Sequence, residues 1–517
     1  MSTGKLTKTV SPTVRILLLL GFVLIKFLLQ YSFISPEYEL HRDEFLHLDQ
    51  AHHLAWGYLS VPPVSSWVAS LIYLLGNSIF WIKFFPALFG ALTVVVVWKT
   101  IEVLKGDLFA LILGATCVLF SVLLRLNILF QPNSLDVLCW ASVYYCLIRY
   151  INSQQAKWLF VGAIVFAFGF LNKYNIAFLL MGLIPALLIN RKRKIFTEPS
   201  LYIAALIALV MILPNLWWQY SNGFPVVHHM KELSATQLVN VNRGDFIRAQ
   251  LLFFLGSIPV LLAAFYALIF YPPFRPYRCF FWSFLFTFGV FLYFRAKDYY
   301  AIGLYPVYFS FGAIYCSQLF KSKWGKILKP VSIALPVVLF YPMLRIGFPN
   351  KSPKYIVQHP EHYQKFGLLR WEDGKDHPLP QDFADMQGWK ELARKADSIY
   401  GILSSSGNTL VFCDNYGQTG AINYYTHNGI NAVGYNADYI NWFNLDSSYV
   451  NLIRVVNAWD RDKELRDVSP LFKNAKVEDS IVNMYARERG TVILSFASAR
   501  MDINEIIRKE IDSLQHK

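Results

Sequence analysis

Two adjacent carboxylates, Asp43 and Glu44, are the first residues in this 517-residue chain whose types suit chemistry. A carboxylate within hydrogen-bond reach of a hydroxyl can take its proton as the oxygen attacks carbon. With Glu37, Glu39 and Asp49 nearby, the same pair also reads as a solvated acidic loop. Asp136 stands at the start of an apolar run, in LFQPNSLDVLCW. Ionisable groups so placed face the protein interior or a cavity, and an anion near a helix N-terminus gains from the dipole. Asp136 reads equally as a first-turn acid in a helix capped by Asn133 or Ser134.

Cations form a second group. Arg295 and Lys297, with Asp298, lie in FRAKDYYAIGLYP between two apolar runs. A cation there can stabilise an anionic leaving group, and interfacial anchoring accounts for it as well. Lys26, Lys83, Arg125 and Lys173 lie in or beside apolar runs. They are candidates for a pocket lined with basic groups, and snorkelling explains each singly. His41, His47, His52, His53, His228 and His229 fall in outer segments. His47 and the pair His52–His53 are placed to meet a metal with Asp43 or Asp49, yet HLDQAHH lacks the glutamate of the zincin motif. A divalent metal is therefore not indicated, and no ligand is assigned. Six cysteines show neither metal-ligand spacing nor a disulfide framework.

The elements that must hold these groups are membrane helices. Hydrophobic residues make up 55% of the chain and charged residues 16%, where a soluble domain carries about 25% charge. Apolar runs at 16–34, 79–98, 108–126, 134–150, 158–189, 199–218, 249–271, 279–294, 300–319 and 327–345 are read as spans. The stretch 158–189 has a polar turn, Asn172 to Asn175, and is split into two helices, which makes eleven. The piece 64–75 follows Pro62 and Pro63 and is too short to cross.

Lys5, Lys8 and Arg15 place the N-terminus in the cytoplasm. No small-residue cleavage site follows the first run, so it reads as a retained helix. The inside loops then hold Lys99 and Lys105; Arg149 and Lys157; RKRK at 191–194; Arg275 and Arg278; and Lys321, Lys323 and Lys326. The net charge of +14 follows this topology. The basic residues form no stripe, which argues against nucleic-acid binding. An odd number of spans places residues 346–517 outside.

That tail is a small α/β domain in expectation. TLVFC at 409–413 reads as a strand, AINYY as part of a helix, and NAVGY and TVILSFA as further strands. The turn DNYGQTG lacks a dinucleotide fingerprint. The domain covers an active site, grips an acceptor, or is purely structural. The expected division is 1–345, membrane domain with outer loop 35–78, and 346–517, soluble domain.

The first outer loop, HRDEFLHLDQAHHLAWGYLSVPPVSSW, resembles that of the dolichyl-phosphate-mannose protein mannosyltransferase superfamily (glycosyltransferase family 39, GT-C fold). The bacterial form of that superfamily includes the lipid A aminoarabinose transferases. Asp43-Glu44, Gly57-Tyr58 and Pro62-Pro63 match in order, and Val61 stands where the family usually shows His. LFQPNSLDVL matches the segment with the family's second acidic residue, Asp136. KDYYAIGLYP resembles its late lysine–tyrosine–proline segment, and NYGQTGAINYY a soluble-domain segment of bacterial members.

The resemblance implies a GT-C-like polytopic α-helical membrane fold with a cavity open to the outer leaflet. It implies an inverting glycosyltransferase that moves a sugar from a polyprenyl-phosphate-linked donor, such as undecaprenyl phosphate, to a hydroxyl-bearing acceptor at the bacterial inner membrane. Asp43 is then the base, with Glu44 its neighbouring rival, and Asp136 orients acceptor or loop. Lys297 and Arg295 bind the donor phosphate, with Tyr58, Tyr299 and Tyr300 in the same donor-binding group. A lipid or solute transporter, and a non-catalytic envelope polysaccharide assembly protein, are the alternative classes. A transporter would show paired broken helices, and only one broken region, at 172–175, is visible in the sequence.

Overall fold

A computed structural model describes residues 11–322 and 324–515. Lys5, Lys8 and Lys323, used above for orientation, lie outside the described residues. The chain divides into two compact units. One comprises the described parts of Met1–Ile34, Val61–Val64 and Ser78–Phe348; the other comprises Ser35–Ser60, Ser65–Asn77 and the described part of Pro349–Lys517.

The first unit is helical. Its helices include Pro12–Ser32, Ile79–Val103, Leu108–Leu119, Asn133–Ser153, Lys157–Asn172, Ala177–Ile189, Pro199–Ser221, Arg278–Tyr293, Pro306–Leu319 and Gly325–Ile346. The first starts where Ser11 Oγ accepts from the Val14 N–H at 3.3 Å and Pro12 takes the opening position. Its polarity is reversed relative to a soluble helix. Ile16, Leu17, Leu20, Leu24 and Leu28 are exposed, while Lys26 and Gln30 are buried. Pro199–Ser221 repeats this, exposing Ile203, Leu206, Val210, Leu213 and Trp217 while burying Asn215 and Gln219. Apolar side chains turned outward at helical spacing fit lipid, where every backbone group must be bonded within the helix.

Among the described residues, four helices are each long and apolar enough to cross a membrane: Pro12–Ser32, Ile79–Val103, Pro199–Ser221 and Gly325–Ile346. The expected continuous span 249–271 is instead broken. Arg243–Phe253 and Leu255–Phe270 meet at 71° and form a fifth crossing only if counted as one. The expected run 300–319 begins as a 3₁₀ turn, Asp298–Leu304, before Pro306 opens the α-helix. Pro306 has no N–H and its ring fixes φ, which suits it to a first helical position. A helix that no predicted span covers, Pro225–Thr236, lies between two spans. The multi-pass membrane character is thus carried by both pattern and fold.

Small residues set the packing distances. A Cβ on Gly182 would stand 1.9 Å from Thr287 Oγ1, and one on Gly312 would stand 1.9 Å from the Val260 carbonyl oxygen. Backbone approach of this kind is how membrane helices gain contact without a hydrophobic drive between them. All six cysteines are buried and free.

The second unit holds a four-stranded sheet: β1 (Thr409–Cys413), β2 (Asn451–Val456), β3 (Phe472–Ser480) and β4 (Val492–Ala499), in the order β1-β2-β4-β3. β1 and β2 are parallel; the other pairs are antiparallel. Its core joins Leu410, Leu452, Val456, Phe472, Leu494 and Phe496 with Ile503 and Ile507 of the C-terminal helix. NAVGY does not form the expected strand. Val433 makes a single parallel bridge with Phe412 on the edge of β1 that β2 leaves open, and the parallel partner of β1 is the wholly buried β2.

The first outer loop is part of this second unit. Its helix Arg42–Asp49 packs on the helix Tyr416–Tyr425. Phe45 is the anchor, with ring centroids 5.7 Å from Tyr425, 5.8 Å from Tyr424 and 6.0 Å from Trp389. A Cβ on Gly420 would stand 2.6 Å from Phe45 Cβ, so the glycines of NYGQTG permit the approach. Burying so aromatic a face explains why the loop settles on the sheet domain.

Candidate active site

In the second unit the site is built around Asp43. Helix Arg42–Asp49 opens with a capping box. His41 Nδ1 accepts from the Asp43 N–H at 3.2 Å, and Glu44 Oε2 accepts from the His41 N–H at 2.9 Å. The two adjacent acids therefore occupy different settings. Glu44 is fully buried. Asp43 keeps 35% of its side chain accessible, enough to meet a ligand.

Tyr416 donates its hydroxyl to Asp43 Oδ1 at 2.7 Å. The Arg42 guanidinium lies 4.3 Å from the centre of the Tyr416 ring and 4.0 Å from Asp385. His41 Nδ1 is 3.8 Å from Asp43 Oδ2. Burial pushes the Asp43 carboxyl up, but His41, Arg42, the Tyr416 hydroxyl and His47 together outweigh it and hold it below the usual range. Asp43 is thus ionised at neutral pH and ready to accept a proton. Asp385, held by Arg487 at 3.1 Å, moves the other way because burial dominates there.

Tyr58 is buried, and its hydroxyl bridges the loop's own backbone, donating toward the Gln50 and His53 carbonyls at 3.2 and 3.1 Å. Asp438 secures the same loop, accepting from Gln50 Nε2 at 2.8 Å and the Leu59 N–H at 2.7 Å. Burial pushes its carboxyl up to about 6.

In the first unit the centre is Asp136, in the first turn of helix Asn133–Ser153 and 4% exposed. No side chain caps that helix; Pro132 holds the cap position. Asp136 instead accepts from Trp140 Nε1 at 3.0 Å and from Asn175 Nδ2 at 2.9 Å. Asn175 also donates to the Tyr300 carbonyl at 3.1 Å, which ties Asp136 to the late lysine–tyrosine segment. Gly303 lies on the Trp140 indole, where a Cβ would stand 2.8 Å away.

Lys173 donates to Asn133 Oδ1 at 2.6 Å. Its ammonium lies 5.0 and 4.5 Å from the ring centres of Tyr299 and Tyr300, within cation–π range. It also lies within electrostatic reach of Asp136 and Lys297. Lys297 caps the 3₁₀ turn Asp298–Leu304 and is half-buried. Arg295 is exposed, with a left-handed backbone (φ 51°). The fold therefore brings Asp136, Lys173, Lys297, Tyr299 and Tyr300 into one region of the first unit.

Tyr416, Asp385, Trp140 and Asn175 were not singled out by sequence reasoning. Their only signals were the DNYGQTG turn for Tyr416 and the polar turn inside 158–189 for Asn175. Among the described residues, no group of three His, Cys, Asp or Glu side chains is arranged to hold a metal ion.

Residues 60–218 match the model of the dolichyl-phosphate-mannose-protein mannosyltransferase family, a region containing Asp136, Lys173 and Asn175. The lipid A galacturonosyltransferase RgtD of Rhizobium johnstonii is 28% identical over 249 residues, covering 46% of this chain and 51% of that protein. The chain thus spans about half the length of the curated relative it matches. The crystal structure of ArnT from Cupriavidus metallidurans bound to undecaprenyl phosphate covers 94% of this chain and 98% of its own, at 13% identity and a TM-score of 0.61. The apo form of the same protein covers 92% and 97%, at 12% identity and a TM-score of 0.59. The chain is a GT-C-fold membrane protein similar to ArnT and to the dolichyl-phosphate-mannose-protein mannosyltransferases.

Proposed function

We propose that this protein is an inverting glycosyltransferase that moves a sugar from a polyprenyl-phosphate-linked donor to a hydroxyl on a lipid or glycan acceptor. It works on the outer face of the bacterial inner membrane, with the domain 346–517 in the periplasm. The carrying observation is Asp43, an accessible carboxylate held ionised beside Tyr416. The ArnT fold bound to undecaprenyl phosphate supports the lipid-linked donor, and the kinship with RgtD supports a lipid or glycan acceptor.

In the proposed reaction the acceptor oxygen attacks the anomeric carbon as the carbon–oxygen bond to phosphate breaks. A single displacement inverts that carbon. Asp43 takes the hydroxyl proton. The polyprenyl phosphate leaves as an anion and needs no proton donor, unlike the alcohol released in glycoside hydrolysis. Lys297 holds that phosphate, assisted by Arg295, Lys173, Tyr299 and Tyr300. Glu44 is the weaker candidate for the base because it is buried within the cap. Asp136 keeps the Lys297–Tyr300 segment in place through Asn175.

The test is transfer by purified protein in detergent. A polyprenyl-phosphate sugar should release polyprenyl phosphate when acceptor is added, and Asp43→Asn should lower the initial rate by about 10²-fold or more with donor binding intact. Transfer from a nucleotide sugar without lipid would overturn the donor assignment, and near-normal transfer by Asp43→Asn would remove it as base. Protease added to intact spheroplasts should reach a C-terminal epitope; protection until lysis would reverse the topology.

A further inference from the structure

The second unit contains a cavity of about 250 Å³ that the proposed chemistry does not use. Asp49, His52, His53, Asn431 and Trp442 line it, with Asn423 and Tyr439 in its wall. Asp49 belongs to the same helix as Asp43, six residues on. The two carboxylates are therefore about 9 Å apart along the axis.

The wall is built, not incidental. Asn423 Nδ2 and the Tyr439 hydroxyl both donate to Asp49 Oδ2, at 2.8 and 2.7 Å. Asn423 is itself fixed by the Ala432 backbone, accepting from its N–H at 2.7 Å and donating to its carbonyl at 3.2 Å. The carboxylate is thus locked in orientation while Oδ1 has no hydrogen-bond partner among the described residues. The ring nitrogens of His52 and His53 and the Asn431 amide have no hydrogen-bond partner among them either. His53 stacks on Trp442, with centroids 4.3 Å apart and planes 10° apart, so both rings are held in place.

These groups select a ligand class. The volume has room for about eight waters at ~30 Å³ each, and it lies below the range of roughly 300–1,000 Å³ for drug-sized ligands. One pyranose ring is of that scale. The lining holds no Lys or Arg among the described residues, which disfavours phosphate. An organic cation would suit Asp49 but not the adjacent imidazole pair, and among the described residues no three His, Cys, Asp or Glu side chains come together to hold a metal ion. Hydroxyls both donate and accept, so they satisfy Asp49 Oδ1, the imidazoles and Asn431 together. The rings offer a face for the C–H side of a sugar.

We infer that this cavity is a saccharide subsite that grips one sugar ring of the acceptor while a hydroxyl elsewhere on it reaches Asp43. This rests on the proposed transferase reading for the word acceptor, and on the cavity alone for the sugar.

The test uses the full chain in detergent at pH 8, above the value of about 7 to which burial pushes Asp49. Methyl glycosides of glucose, galactose and glucosamine are the probes, read by saturation-transfer NMR, with glycerol and choline as controls. At least one glycoside should bind. Asp49→Asn should weaken it about tenfold, the scale of one hydrogen bond to a charged group, and Asn431→Trp, which occludes the cavity, by at least as much. Asn431 is exposed, so the tryptophan fills the cavity without entering the core. In the transfer assay both variants should raise the KM for acceptor and leave that for donor unchanged. Failure of every glycoside to bind, binding indifferent to both variants, or preference for glycerol or choline would overturn the subsite. Glycoside binding lost in both variants, in a protein that transfers no sugar from a lipid donor, would uphold the sugar site and overturn the transferase reading.

Discussion

The Tyr416 hydroxyl donates to Asp43 Oδ1 at 2.7 Å, joining two residues 373 positions apart in the chain. It is one of the interactions that hold the Asp43 carboxyl below its usual range against the upward push of burial. Tyr416→Phe removes that donor and lets the carboxyl rise. The acidic limb of the transfer rate should then move to higher pH, with the plateau less affected. Initial rates taken from about pH 2.5 upward, across the ordinary carboxyl value of 3.8, measure this, and a limb in the same place would show that the hydroxyl does not tune the base.

Glu44→Gln should cost far less than Asp43→Asn. A glutamine oxygen can still accept from the His41 N–H and close the capping box. Transfer rate and thermal midpoint should both stay near the parent's. A rate loss equal to that of Asp43→Asn, in protein of normal stability, would move the base assignment to Glu44.

Lys297→Ala should raise the KM for donor by roughly tenfold or more, the effect of losing one charge-assisted contact to phosphate. Lys297→Arg should recover part of it, since the charge remains in a larger planar fork. Kinetics unchanged by the alanine would return Lys297 to interfacial anchoring.

Gly420→Ala tests the loop's seat on the sheet domain. The new Cβ would stand 2.6 Å from Phe45 Cβ, 2.7 Å from the Tyr439 hydroxyl and 3.2 Å from the Phe45 carbonyl carbon. Overpacking of this kind costs about 1–3 kcal/mol. A lower thermal midpoint together with a reduced transfer rate is expected, because helix Arg42–Asp49 carries Asp43. An unaltered midpoint would mean that the helix adjusts without cost.

Asp49 gives a pH signature of opposite sign to Asp43. Burial raises its carboxyl from 3.8 to about 7, against the hydrogen bonds from Asn423 and Tyr439. Between those values the folded state binds more protons than the unfolded, so this group lowers stability as pH rises and changes nothing above about 7. Asp49→Asn escapes that loss and keeps an oxygen for both donors. Its thermal midpoint relative to the parent should climb from pH 4 to 7 and then level off. A difference that is flat with pH would place the folded-state value near that of an ordinary carboxyl.

Much of the first unit is legible in residue order. Lipid demands apolar lengths of about 20 residues with internally bonded backbones, and the runs that satisfy this become helices. Asp136 at a run's start, and the polar break at 172–175, are visible for the same reason. The 71° break at Phe254 is legible only in part: Gly256, Ser257 and Pro259 mark a helix breaker, but hydropathy runs 249–271 together as one span. NAVGY has strand composition but makes one bridge: Val433 meets Phe412 on the edge of β1 that β2 leaves open, and the pairing extends no further.

Residue types named Asp43 and Glu44 as a pair, and the family resemblance favoured Asp43; the tertiary structure gives the two different settings, burying Glu44 in a cap and leaving Asp43 against Tyr416. Asn175 and Trp140 on Asp136, and Asn423 and Tyr439 on Asp49, belong to the same class of fact. Hydropathy and helical period are local quantities, summed over a few turns. Most of these contacts join distant segments, and all depend on side chains that pack only after the helices and sheet have met, so no stretch of sequence carries them alone.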